Sequence, residues 1–148
     1  MPKHILVVDD NTRIRKAVCL MIAGDLELTP CLVAENGLEA IAMATSEMPD
    51  LIVMDFSMPV MNGLEAAKRI KAVLPKVPIV LVTLHPEIMN MDELGKLGIS
   101  AMVSKQNAGK DLVPAIRLLL GLTAIPSTRT AENVRVKRKA QLLHSDLQ

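Results

Sequence analysis

Five short apolar runs recur along the chain, and each stops at a polar residue. Ile5-Leu6-Val7-Val8 ends at Asp9-Asp10, Pro30-Cys31-Leu32-Val33-Ala34 at Glu35, and Leu51-Ile52-Val53-Met54 at Asp55. Ile79-Val80-Leu81-Val82 ends at Thr83, and Ala101-Met102-Val103-Ser104 delivers Lys105. Runs of this length, rich in β-branched residues and bounded by turn signals, read as strands buried on both faces. The segments between them have helical spacing. Ile14, Val18 and Met21/Ile22 share one face behind a cap at Asn11 or Thr12, and Gly24-Asp25 stops that helix. Ile41, Ala44/Thr45 and Met48 are expected to point inward from a second helix after Glu35-Asn36-Gly37, and Ala66/Ala67, Ile70 and Val73/Leu74 from a third after Gly63. His85-Pro86-Glu87 reads as the start of a fourth helix, ended by Gly95 and Gly98. A fifth is expected over Asp111 to Leu120, with Pro114 tolerated in its first turn.

Five strands alternating with five helices imply repeated βα units, hence an α/β fold with a doubly wound, five-stranded parallel sheet covered on both faces. In such sheets ligands bind beyond the carboxyl ends of the strands, near the point where strand order reverses. The polar residues at those ends are Asp9, Asp10, Asp55, Thr83 and Lys105.

The composition is that of an ordinary globular protein: 148 residues, 50% hydrophobic and 22% charged. No apolar run approaches the ~20 residues of a membrane-spanning helix. Met1-Pro2-Lys3-His4 leads straight into a strand without a signal-peptide core, so the chain is expected to be soluble and cytoplasmic. Cys19 and Cys31 lie in apolar segments and read as reduced, buried small residues. His4, His85 and His144 lack ligand spacing and read as surface or turn residues, and Met58/Met61 and Met89/Met91 as core filler. Charge is uneven. Residues 1–120 carry 12 Lys+Arg against 14 Asp+Glu, and residues 121–148 carry 5 against 2. The body therefore has no basic face for nucleic acid.

Three carboxylates on one rim repel one another unless a cation sits among them, and hard oxygen ligands suit Mg²⁺. Lys105 adds a positive charge and Thr83 a hydroxyl donor. In-line phosphoryl transfer needs this set, because it rests on positioning and charge neutralisation. The residues point to Asp55 as a phosphoryl acceptor.

The same residues carry a family resemblance. Ile5–Asp10, Met54-Asp55-Phe56-Ser57-Met58-Pro59 with Asn62-Gly63-Leu64-Glu65, Val82-Thr83 and Val103-Ser104-Lys105 resemble, in order and spacing, the receiver domain of two-component response regulators. The resemblance covers about residues 3–120. It implies a flavodoxin-like fold with strand order 2-1-3-4-5. It also implies Asp55 as the phosphoacceptor, with Mg²⁺ held by Asp10, Asp55 and the Ser57 carbonyl, and by Asp9 largely through water. Lys105 then binds the phosphoryl group and Thr83 signals its arrival. The implied donor is a sensor histidine kinase or a phosphotransfer protein. The chain would be no enzyme, beyond gaining and losing its own phosphoryl group. The family's dimer surface maps onto residues 92–120, and the downstream partner stays unnamed.

Two positions depart from the family pattern. Met102 stands where an aromatic switch residue is usual, and Gln106 where a cis-proline usually follows the lysine. Ser57 and His85 occupy the positions that tune phosphoryl lifetime. Receiver domain 1–120 is followed by a linker and basic tail, 121–148, with Pro126, Ser127 and Arg135-Val136-Lys137-Arg138-Lys139, read as flexible or as a short helix. The alternative is the receiver part of a DNA-binding transcriptional regulator whose output domain lies outside this sequence. A Mg²⁺-dependent hydrolase is a third, remote class.

Overall fold

The chain alternates strand and helix in the computed structural model, which describes residues 1–122 and the backbone of Arg135–Val136. The elements are β1 (Lys3–Val8), α1 (Thr12–Ala23), β2 (Leu28–Ala34), α2 (Gly37–Glu47), β3 (Leu51–Asp55) and α3 (Gly63–Val73). They continue through β4 (Ile79–Thr83), α4 (Met91–Lys96), β5 (Ala101–Ser104), α5 (Ala108–Leu119) and β6 (Arg135–Val136). The sheet order is β2-β1-β3-β4-β5-β6. The first five strands are parallel, as expected, and β6 joins antiparallel on β5.

Each central strand splits its side chains between two cores, which is why its sequence reads as an unbroken apolar run. Ile5, Val7, Val53, Val80, Val82 and Val103 face the side covered by α1 and α5. Leu6, Val8, Ile52, Met54, Leu81 and Met102 face the side covered by α2, α3 and α4. Met58, Met61, Met89 and Met91 pack partly buried against that second cluster, as core filler. The chain leaves β1 toward β2 on one side and returns past it to β3 on the other. The reversal of order therefore lies between the carboxyl ends of β1 and β3, where Asp9, Asp10 and Asp55 are.

Four helices begin with the same device. Asn11, Asn36, Asn62 and Asn90 each accept a backbone N–H from the first turn, at 3.0 Å from Ile14, 2.9 Å from Glu39, 3.0 Å from Glu65 and 2.9 Å from Asp92. Asn90 explains one departure from expectation. His85-Pro86-Glu87 does not open α4; Pro86–Ile88 makes a separate 3₁₀ turn, and α4 starts after the side-chain cap at Asn90. At the other end of the fold, Arg117 of α5 donates to Asp25 at 2.8 Å and Glu27 at 3.0 Å, fastening α5 to the α1–β2 loop.

Other expectations shift by part of a turn. Met48 is not inward: it is the left-handed C-cap of α2 at φ 48° and is 67% exposed, while Gly37, Ala40 and Ala44 form the buried stripe and Thr45 is exposed. Val73 likewise faces solvent at the last turn of α3, where Leu74 is the C-cap. Helix α5 begins at Ala108 rather than Asp111, so Pro114 sits in its interior and not in its first turn. Strand β2 starts at Leu28, ahead of Pro30. Cys19 is partly buried with a free thiol, and burial pushes that thiol's pKa up. The Cys31 side chain, His144 and most of the 121–148 tail fall outside the described residues. Its Arg135–Val136 pair is strand, neither linker nor helix. Among the described residues no helix is long and apolar enough to cross a membrane.

Candidate functional site

Strand β3 ends in Asp55, which is 3% exposed, and β1 hands over to Asp9 at 5% and to exposed Asp10. Ladder pairing fixes their level. Val8 sits beside Met54 and Asp55 beside Val82, so the residues after each strand emerge on one rim. One carboxylate oxygen from each of Asp9, Asp10 and Asp55 can be drawn from a cluster within 4.8 Å. Thr83, 2% exposed, ends β4 one residue beyond the partner of Asp55, and its hydroxyl oxygen accepts the His85 N–H at 3.1 Å. The Thr83 proton is left to be donated elsewhere.

Lys105 crosses to the carboxylates from the end of β5. Its Nζ lies 2.9 Å from Asp55 Oδ1 and 3.9 Å from Asp9 Oδ2. The contact with Asp55 is an ion pair at hydrogen-bonding distance, and the Ser57 backbone N–H faces the same carboxylate. Burial raises the Asp55 pKa above its ordinary 3.8. Lys105 and the backbone N–H of Ser57 pull it down, the Asp10 carboxylate pushes it up again, and the net direction is upward. Asp9 shifts upward too. Burial leads, the Asn11 N–H at 2.9 Å opposes it, the Asp55 charge adds to it and Lys105 offsets part. One lysine does not balance this cluster.

That imbalance is a test of fit for a cation. The donors are hard oxygens, two are on buried carboxylates held close to their ionised neighbours, and Asp10 keeps one side open to water. A small divalent ion such as Mg²⁺ matches this donor set. Ser57 lies on the exposed loop two residues past Asp55, where its backbone faces the same carboxylate.

Gly63 and Val60 shape that loop. Gly63 N–H donates to Phe56 O at 2.8 Å, and a Cβ on Gly63 would stand 2.3 Å from the Asp55 carbonyl oxygen. Only glycine lets α3 begin this close to the end of β3. Val60 is held at φ 71°, a left-handed conformation that a β-branched residue resists. Val60→Gly is expected to stabilise the fold by about 1 kcal/mol, read as a higher urea midpoint. An unchanged or lower midpoint would show that the loop holds no such strain.

Sequence reasoning missed Arg15. Its Nη1 donates to the Asp9 carbonyl at 2.8 Å, and its other nitrogen reaches Glu35 at 3.5 Å. The signal was available: one turn beyond the Asn11 cap, a long cation on α1 faces back over the strand end. Gln106 departs from expectation in a simple way. No peptide bond among the described residues is cis; Lys105–Asn107 forms a 3₁₀ turn, with Ser104 Oγ accepting the Gln106 N–H at 3.2 Å. Met102 is 2% exposed inside the second core cluster, beside Leu81 in the ladder. A cavity of about 260 Å³ opens next to Asp55 and Lys105, walled by Ile14, Met21, Leu84 and Ala108.

Comparison with known proteins agrees with this geometry. Residues 5–117 match the family model described as the response regulator receiver domain. The chain belongs to that family. The receiver is 30% identical over 116 residues to the transcriptional activator protein ExaE of Pseudomonas putida, covering 78% of this chain and 54% of the relative. It is 30% identical over 140 residues to the transcriptional regulatory protein LnrK of Bacillus subtilis, covering 93% of this chain and 64% of the relative. The chain thus spans between about half and two-thirds of the length of these two curated relatives. Among solved structures, the response regulator domain of Thermotoga maritima CheB superposes with TM-score 0.76 at 26% identity, over 83% of this chain and 99% of that one. A LuxR-family response regulator from Aurantimonas shares the fold at TM-score 0.74 and 23% identity, over 96% of this chain and 99% of that one. The protein is therefore a receiver domain of a two-component response regulator.

Proposed function

We propose that this receiver accepts a phosphoryl group on Asp55 and changes its partner contacts when it does. The observation that carries the reading is the buried Asp55 carboxylate with the Lys105 ammonium 2.9 Å away and Asp9 and Asp10 beside it. An Asp55 oxygen attacks the phosphorus of a phosphohistidine in line. The P–N bond breaks, its electron pair returns to the imidazole nitrogen, and an aspartyl phosphate forms. Lys105 moves from carboxylate to phosphoryl oxygen, and the Thr83 hydroxyl turns to donate to another. Asp9, Asp10, Asp55 and the Ser57 carbonyl would hold Mg²⁺, which supplies neutralisation of the developing phosphoryl charge.

The donor is a sensor histidine kinase or a phosphotransfer protein, as receivers generally use. Output passes by protein contact, with residues 92–120 as the candidate homodimer surface. A second reading is favoured by the relatives: ExaE and LnrK are named as transcriptional proteins and extend well beyond the part matched here. On that reading the chain is the receiver of a DNA-binding regulator.

Phosphate release separates a receiver from a hydrolase. With a small phosphodonor and Mg²⁺, the protein is expected to consume about one equivalent per chain quickly and then only as fast as its own aspartyl phosphate hydrolyses. Many rapid turnovers, with no modified protein accumulating, would contradict the receiver chemistry.

A further inference from the structure

The two edges of the parallel sheet are treated differently. Strand β2 carries Pro30, which has no N–H to offer a neighbouring strand. Strand β5, Ala101-Met102-Val103-Ser104, has no proline and no charged residue, and its ladder with β4 runs without a bulge. Those are the usual means of blunting an edge, and an apolar edge without them invites pairing with another strand. Instead, Arg135–Val136 lies along it antiparallel, with Val136 opposite Ala101 and Arg135 opposite Met102.

We propose that the outer edge of β5 is a strand-pairing surface whose resident occupant is the Arg135–Val136 segment of the same chain. The segment is an intramolecular strap, and it must leave before a second copy or another protein's strand takes the edge. Chain length permits this. Residues 123–134 can span roughly 40 Å when extended, about three times the length of a four-residue strand, so the chain reaches back over its own edge.

The strap belongs to the run Arg135-Val136-Lys137-Arg138-Lys139. A basic run discourages a further strand of the same kind from adding outside it.

Main-chain pairing of this type is read by amide exchange. The full chain is compared with an Arg135→Pro/Val136→Pro double variant, in which the strap cannot donate to the ladder. The β5 amides that point away from β4 are expected to exchange about tenfold faster or more in the variant, while Leu6 and Val53 are unchanged. In the wild type, β5 protection is expected to be independent of protein concentration. Equal β5 exchange in the two proteins would overturn the strap. Protection that is lost on dilution would overturn it too, because the occupant would then be a second copy. Should the variant also lose protection at Leu6 and Val53, its fold is damaged and the wild type decides. Arg135 and Val136 amides protected together with β5 support the strap, and free-chain exchange at both contradicts it.

Discussion

Gly63→Ala is expected to destabilise the receiver by about 3 kcal/mol and to slow phosphoryl uptake at Asp55. The added methyl would stand 2.3 Å from the Asp55 carbonyl oxygen and 3.0 Å from the Met54 side chain. Overpacking against a flexible side chain is relieved by rotation, but here the nearest atom is backbone, so the upper part of the usual 1–3 kcal/mol range applies. Either α3 moves outward, breaking the bond from Gly63 N–H to Phe56 O, or the end of β3 shifts and takes Asp55 with it. Both movements disturb Asp55. Urea unfolding and the rate of phosphorylation by a small phosphodonor test the two halves. Wild-type stability together with a wild-type rate would show that the loop relaxes freely and that glycine is not required at position 63.

Asp55→Asn is expected to do the opposite to the fold. In the absence of divalent metal it should stabilise the protein at neutral pH by about 1–3 kcal/mol, the scale of a buried polar group's desolvation, because burial outweighs the Lys105 and Ser57 contacts. The sign follows from the raised pKa. A carboxyl group that holds its proton more tightly in the folded state stabilises the fold fully below its unfolded value, near 3.8, and loses that contribution as pH rises through the folded pKa. Asn has no proton to lose. The two proteins should therefore differ little below pH 3.8 and diverge above it, the variant being the more stable. Asp9, shifted in the same direction, still titrates in both proteins and leaves a smaller slope of the same sense in the variant. Saturating Mg²⁺ should narrow the gap by stabilising the wild type alone. Thermal unfolding across pH, with and without Mg²⁺, measures this. A variant less stable than wild type at pH 7 without metal would mean that the Lys105 contact outweighs burial and repulsion.

The parts of the site that were legible from sequence are those encoded by strand ends. A strand buried on both faces shows as an apolar run, and a carboxylate or lysine closing such a run is conspicuous. Asp9, Asp10, Asp55, Thr83 and Lys105 could each be placed on the rim, and a parallel sheet brings strand ends together. Local signals misled where tertiary contacts decide. His85-Pro86-Glu87 has a helix-start composition, yet the chain spends it on one 3₁₀ turn and caps α4 at Asn90. A start at Asp111 would have put Pro114 in the first turn, but Ala108 and Leu112 pack into the α1–α5 core and α5 begins three residues earlier. Met48 continues the helical period of α2 in sequence, but it is the left-handed residue that stops the helix.

Other features have no local pattern at all. The pairing of Arg135–Val136 with β5 depends on an exposed edge far away in sequence. The 2.9 Å approach of Lys105 to Asp55 depends on how β4 separates β3 from β5. Met102 is buried in the second core cluster beside Leu81, and a methionine there brings no hydroxyl to β5.

Intact mass after incubation with acetyl phosphate bears most directly on Asp55, and it suits a chain with no Trp or Tyr, whose optical signals are weak. Wild-type protein with Mg²⁺ should gain the mass of one phosphoryl group per chain, stable in acid and lost in base. The gain should vanish when Mg²⁺ is chelated and in Asp55→Asn. An adduct of the same stoichiometry on Asp55→Asn, or none on wild type with any phosphodonor, would contradict Asp55 as the acceptor.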